Sequence, residues 1–148
     1  MLSRSSVYAL QAALHLARKS DNDSVSAAVM ADRLELPPEY LAKVLRRLAL
    51  RGVLTSTRGA HGGYRLAASA EDLTVARVIE PFEEVEPPKV CLLGGPCHEE
   101  HPCTAHLRRL EWRAARLRIL ENTTLHDLLR DEADDDASAS SPLISIER

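Results

Sequence analysis

All three cysteines of this 148-residue chain fall between positions 91 and 103. Cys91, Cys97 and Cys103 precede His106 in the spacing C-x5-C-x5-C-x2-H, and His98 and His101 lie between the last two thiols. Thiolates and imidazoles are the donors that hold zinc or iron–sulfur clusters. An odd number of thiols in one short stretch favours metal or redox chemistry over structural disulfides. Gly94-Gly95-Pro96 lets the backbone wrap an object instead of forming a regular element. Zinc fingers and ribbons use paired C-x2–4-C knuckles, which this stretch lacks. On residue types alone, zinc and an iron–sulfur cluster both stay open. His106 stands at the start of a helical pattern that would fix its position; His98 and His101 are its rivals as fourth ligand. His15 and His126 fall within helical patterns and read as packing or surface residues.

A second constellation suits a polyanion. At about 100° per residue, Leu41, Val44, Leu45 and Leu48 share one helical face, while Glu39, Lys43, Arg46, Arg47 and Leu50 share the other. A helix locked by its apolar face and presenting cations outward is what a major-groove reader needs, since Arg and Lys bond guanine edges or phosphates. Arg58 leads the turn-rich Arg58-Gly59-Ala60-His61-Gly62-Gly63, which runs on to Arg65, and Arg4 adds a cation near the amino terminus. The charge balance agrees. Residues 1–70 hold ten Lys/Arg against five Asp/Glu, whereas residues 71–148 hold nine against seventeen. The basic half points to a polyanionic partner and the acidic half does not.

The elements that must carry these residues follow from periodicity. A first helix is expected over residues 4–19, burying Val7, Leu10, Leu14 and Ala17. A short helix starts after the cap Ser26 and buries Ala27, Met30, Ala31 and Leu34. Pro38 suits the first position of a third helix, which reaches about Arg51 and closes at Gly52. Two strands, Val53–Thr57 and Tyr64–Ala67, flank the Gly-rich tip. Three helices and a hairpin describe a winged helix-turn-helix. A fourth helix runs from the cap Thr74 to Glu80, and Pro81 ends it. A longer one, Thr104 to Glu121, carries two apolar stripes: Leu107, Leu110, Ala114 and Leu117, then Trp112, Ala115 and Ile119. Two stripes on one helix suggest contact with its own domain and with a second copy of the chain. Thr124 and Asp127 are spaced to cap a last short helix ending near Arg130.

The fold class is therefore mainly α: a winged helix-turn-helix with a long C-terminal dimerisation helix. Residues 1–82 are expected to form the DNA-binding domain, 83–103 a metal- or cluster-binding loop, and 104–130 the dimerisation and short C-terminal helices. Residues 131–148, with Asp131-Glu132-Ala133-Asp134-Asp135-Asp136, read as a disordered acidic tail. The apolar stretch Val7 to Ala17 is too short to span a bilayer, and Arg18-Lys19 behind it has the wrong polarity for a signal peptide. A cytoplasmic protein with no membrane association is expected. There is no constellation of catalytic residues, so an enzyme is not expected.

Tyr8-Ala9, Tyr40-Leu41, the wing Arg58-Gly59-Ala60-His61-Gly62-Gly63-Tyr64 and C-x5-C-x5-C occur in this order along the chain. In these features residues 1–130 resemble the Rrf-type winged-helix iron–sulfur regulators, typified by the cluster-assembly regulator IscR and the nitric-oxide sensor NsrR. The resemblance implies a homodimer on a pseudo-palindromic double-stranded DNA operator, with affinity set by the state of an iron–sulfur cluster. It implies ligation by Cys91, Cys97 and Cys103. In the IscR-like branch a histidine three residues after the third cysteine completes a 2Fe–2S site, and His106 occupies that place. Some nitric-oxide-sensing relatives instead use an acidic residue of the partner's first helix on a 4Fe–4S cluster; no Asp or Glu precedes Asp21 here. Ala42 replaces the acidic residue that follows Tyr-Leu in the IscR-like branch, so that branch's operator sequence is not carried over. Tyr40, Lys43, Arg46 and Arg47 are expected at the major groove. Arg58, Gly59 and Arg65 are expected on the wing, with Arg4 at a phosphate. The rival readings are a zinc- or thiol-based redox repressor without a cluster, and a small iron–sulfur carrier protein.

Overall fold

In the computed structural model, described for residues 2–19, 23–59, 62–83 and 102–130, helix α1 (Arg4–Ala17) starts at the cap Ser3, whose hydroxyl accepts from the Ser6 amide at 3.1 Å. Its buried face is not the expected one. Ser6, Ala9, Ala12, Ala13 and Leu16 are buried, whereas Val7 is 39% exposed and Leu10 and Leu14 only pack at the edge of the core. Small side chains win this face because they let the α1 backbone approach the neighbouring helices closely. The larger aliphatics are displaced to the rim.

Helix α2 (Ala27–Arg33) is capped by Ser26 and buries Met30 and Ala31, with Ala27 and Leu34 packed against the core from outside. The turn to α3 passes through Glu35 at φ 53°, a left-handed conformation that costs a non-glycine residue about 1–2 kcal/mol. The Leu36 amide then donates to the Ala31 carbonyl at 2.9 Å, fixing the angle between the helices. Helix α3 (Pro38–Leu50) has Pro38 in its first turn and buries Leu41, Val44, Leu45 and Leu48, as its periodicity predicts. It ends in a Schellman motif. Gly52, at φ 72°, donates to the Ala49 carbonyl at 3.1 Å and Val53 donates to the Leu48 carbonyl at 3.0 Å.

Strands β1 (Leu54–Thr57) and β2 (Gly63–Leu66) form an antiparallel hairpin, with Leu54 opposite Leu66 and Thr57 opposite Gly63. Val25 adds a bridge to Tyr64 through two backbone hydrogen bonds of 2.9 and 2.8 Å. Gly63 is what lets this bridge form: a Cβ there would lie 2.5 Å from the Val25 carbonyl group. Helix α4 (Val75–Ile79) is capped by Thr74 and runs into a 3-10 turn at Glu80–Phe82 that accommodates Pro81.

Helix α5 (Thr104–Asn122) buries no residue, and Leu107, Leu110, Trp112, Leu117 and Ile119 are all exposed. Beyond it, Thr124 and Asp127 form the expected reciprocal cap, with bonds of 2.9 and 3.1 Å, and residues 125–130 are helical. This return is stitched to the start of α4: the Val75 amide donates to the Thr123 carbonyl at 2.8 Å, and the Leu125 amide to the Leu73 carbonyl at 2.9 Å. Leu125 is fully buried and belongs to the same core as Leu41, Leu45 and Leu48. The acidic segment 131–148 lies outside the described residues. Among the described residues, no helix is long and apolar enough to cross a membrane.

Candidate nucleic-acid interface and metal centre

Burial of Leu41, Val44, Leu45 and Leu48 turns the opposite side of α3 outward. Lys43 and Arg46 are exposed there, and Leu50 extends the face with 79% of its surface free. The other two residues expected at the groove occupy the flank. The Tyr40 hydroxyl lies 2.6 Å from the Ser5 hydroxyl, and its ring meets Tyr8 edge-on at 5.5 Å. Arg47 is exposed, yet its guanidinium rests over the Phe82 ring, 5.2 Å from the centroid. Tyr40 and Arg47 thus fasten α3 to α1 and to the end of α4, while Lys43 and Arg46 project from it.

The wing presents Arg58 and Gly59, both exposed, with Gly59 at φ 116° turning the chain at the tip. Ala60 and His61 of the same tip lie outside the described residues. Arg65 sits on the body of β2, partly buried, and its Nε donates to the Thr55 hydroxyl opposite at 3.1 Å. Arg4 is exposed in the first turn of α1. Of the cations expected at DNA, Arg4, Lys43, Arg46 and Arg58 are therefore the ones that are exposed without an aromatic or strand contact. His15 lies away from this set on α1. Burial, then Arg33, Lys19 and Arg18, hold its imidazole below the ordinary histidine range.

Of the sensor residues, Cys103 and His106 are described; Cys91, Cys97, His98 and His101 lie outside the described residues. Among the described residues, no group of three His, Cys, Asp or Glu is assembled. Cys103 is exposed at the N-cap of α5, and His106 is partly buried in the first turn. N-cap and third helical position share one side of a helix, and the positive end of the helix dipole favours a thiolate at the cap. This pair matches the soft anionic and neutral imidazole donors that an iron–sulfur cluster or zinc accepts.

Residue spacing gave no sign of the contact that joins these regions. Glu83, the last described residue before position 102, accepts from the Ser3 amide at 3.0 Å and from the Ser6 hydroxyl through Oε1. Its Oε2 accepts from Arg116 of α5 at 3.0 Å. Burial works against ionisation here, but the Ser3 amide, the Ser6 hydroxyl and Arg116 outweigh it and hold the carboxyl below the ordinary glutamate range. Ser3 was detectable as a polar residue just before a helical pattern. Glu83 and Arg116 carried no such signal, because their partners lie 80 and 33 positions away.

Comparison with known proteins places this geometry. The family model for Rrf2, described as an iron-dependent transcriptional regulator, matches residues 2–131. Protein rrf2 of Nitratidesulfovibrio vulgaris is 38% identical over 137 residues, which cover 88% of this chain and 87% of that protein. The transcriptional regulator IscR of Vibrio campbellii is 32% identical over 127 residues, covering 84% of this chain and 74% of its own. Among solved structures, T. potens IscR superimposes with a TM-score of 0.74 at 25% identity, covering 96% of this chain and 93% of its own. The global cysteine regulator CymR of B. subtilis superimposes with a TM-score of 0.73 at 27% identity, covering 86% and 95%. With a winged-helix fold, an outward cationic helix and a family match along nearly its whole described length, the chain belongs to the Rrf2 family of transcription regulators.

Proposed function

We propose that the protein binds a double-stranded operator as a homodimer, and that an iron–sulfur cluster held by Cys91, Cys97, Cys103 and His106 sets its affinity. The observation that carries this reading is the placement of Cys103 and His106 on one side of the first turn of α5, continuing the spacing begun by Cys91 and Cys97. When bound, a cluster supplies a redox-responsive and chemically labile centre. The residues of this chain do the rest. Lys43 and Arg46 read base edges or phosphates in the major groove, Arg58 brings the wing to the backbone, and Arg4 reaches a flanking phosphate. The exposed leucines, Trp112 and Ile119 of α5 supply the apolar surface for the second subunit. His106 as a neutral ligand leaves the site less negative than four thiolates would and raises its potential, and the likeness to IscR favours 2Fe–2S over 4Fe–4S.

Anaerobic purification with iron, sulfide and visible absorbance measurements tests this directly. Cys91→Ala, Cys97→Ala and Cys103→Ala are each expected to lose the cluster while keeping the fold. His106→Cys is expected to keep it at a lower potential. Stoichiometric iron and sulfide in any one cysteine variant removes that residue from the ligand set. The likeness to CymR favours one second reading, a thiol switch without a cluster. Staphylococcus aureus CymR, solved also in an oxidized form, superimposes with a TM-score of 0.69 at 28% identity. A colourless, iron-free protein whose operator affinity still changes on thiol oxidation selects that reading.

A further inference from the structure

Phe82 and Glu83 touch three helices at once, and they are the last described residues before the cysteines in the chain. The Phe82 ring carries the Arg47 guanidinium of α3 at 5.2 Å, and its carbonyl accepts from the Ser3 hydroxyl at 3.4 Å. Glu83 spends one carboxylate oxygen on the α1 cap, through the Ser3 amide and the Ser6 hydroxyl, and the other on Arg116 of α5. The α1 cap is in turn tied to α3, since Ser5, one residue before Ser6, meets the Tyr40 hydroxyl at 2.6 Å. We propose that Glu83 is the positioning residue that ties the cysteine segment to the reading head, locking the α1 cap and α5 together so that a change at the cysteines alters how α3 is held. The proposal rests on the cluster-controlled reading above.

Several features favour a coupling role over a purely stabilising one. Ser6 is a fully buried polar residue on the close-packed face of α1, and its hydroxyl hydrogen bonds to Glu83. A shift of Glu83 therefore takes one of its two partners from a buried hydroxyl, leaving only the Ser3 hydroxyl at 2.9 Å, which penalises the displacement. The Glu83–Arg116 pair is partly buried, with side-chain exposures of 23% and 31%, whereas Arg77–Glu80 and Arg108–Glu111 are exposed pairs between residues three apart. It joins residues on opposite sides of the cysteine segment. Two structural elements and the path between the candidate sites thus meet in one carboxylate.

The test uses the full chain with and without its cluster and compares operator affinities as a ratio. Glu83→Gln keeps an acceptor for the Ser3 amide but breaks the ion pair to Arg116. It is expected to retain iron, sulfide and dimer mass and to shrink the ratio by about 2- to 30-fold, the span seen for residues that couple two sites. Arg116→Gln should do the same. The double variant, in which two neutral amides can bond each other, should lose no more than either single one. Amide exchange supplies a separate readout, with the first turn of α1 opening faster in both single variants. A wild-type ratio in Glu83→Gln, at full cluster content, overturns the proposal while leaving the cluster reading intact. A wild type whose affinity ignores the cluster overturns both.

Discussion

Arg58→Ala offers a measurement whose size follows from the placement of four side chains. Arg4, Lys43, Arg46 and Arg58 are exposed and are the side chains proposed to meet DNA, whereas Arg47 is stacked on Phe82 and Arg65 is bonded to Thr55. Each phosphate neutralised contributes about −0.9 to the slope of log affinity against log salt. Two subunits bring eight such cations, so a slope of about −7 is the limit if every one meets a phosphate. If Lys43 and Arg46 lie on base edges, four contacts remain and the slope is about −3.6. Raising salt from 50 to 200 mM then weakens binding by roughly two to four decades. Arg58→Ala removes one contact per subunit and should bring the slope toward zero by about 1.8 in a two-headed complex. Fluorescence anisotropy on a labelled operator across five salt concentrations resolves that change. An unaltered slope refutes the placement of the wing on the backbone. A change of about 0.9 shows that only one reading head is engaged, which refutes the dimeric complex instead.

Arg46→Ala should weaken operator binding by about 1–3 kcal/mol and relax preference at one base step, with the urea midpoint unmoved. Arg47→Ala should in addition lower stability by about 0.5–1 kcal/mol, the worth of an exposed guanidinium on an aromatic face; equal urea midpoints for the two variants would remove the Phe82 contact from the account. Gly63→Ala should destabilise the protein by about 1–3 kcal/mol, because the new methyl group must displace the Val25 backbone. A melting temperature equal to wild type contradicts it. His15 is held below its ordinary value, so the unfolded chain binds the proton more readily, and stability should fall as pH drops through about 6.5 toward the folded value. His15→Leu should flatten that acid limb, and an unchanged stability–pH profile would exclude His15 as its source.

Helix α3 was legible because one rule governs it. Pro38 pre-sets its first turn, Leu41, Val44, Leu45 and Leu48 recur at helical spacing, and Gly52 closes it in a left-handed conformation that glycine, unlike other residues, adopts cheaply. Helix α1 was legible in extent but not in facing. Hydropathy ranks Val7, Leu10 and Leu14 above alanine, yet close approach between helices selects Ala9, Ala12 and Ala13, and nothing local says which demand prevails. The cationic face was readable from the wheel, but the division of labour on it was not. Whether Arg47 reaches outward or lies on Phe82 depends on a turn 35 residues later, through a tertiary contact that periodicity does not encode. Glu83 was the least legible of all. It sits among Glu80, Glu84 and Glu86 in an acidic stretch, and only folding distinguishes it from its neighbours.

The return of Leu125 to the core, beside Leu73 and beneath the start of α4, bears on how such proteins diversify. In chain order, Glu83 precedes the cysteines and α5, and Leu125 then completes a core that the earlier elements had already begun. In sequence, the cysteine stretch and α5 are therefore inserted between two parts of one core, represented by Leu73 and Leu125. The entropy of closing an excursion grows only slowly with its length, by about 0.6 kcal/mol for each doubling. By this entropic measure, residues can be added, removed or exchanged in the sequence between Glu83 and α5 at little cost to the scaffold. One DNA-binding frame can in this way be fitted with unlike chemical senses over evolution, and a grafted stretch of similar length would be a natural starting point for building a regulator that answers to a chosen signal.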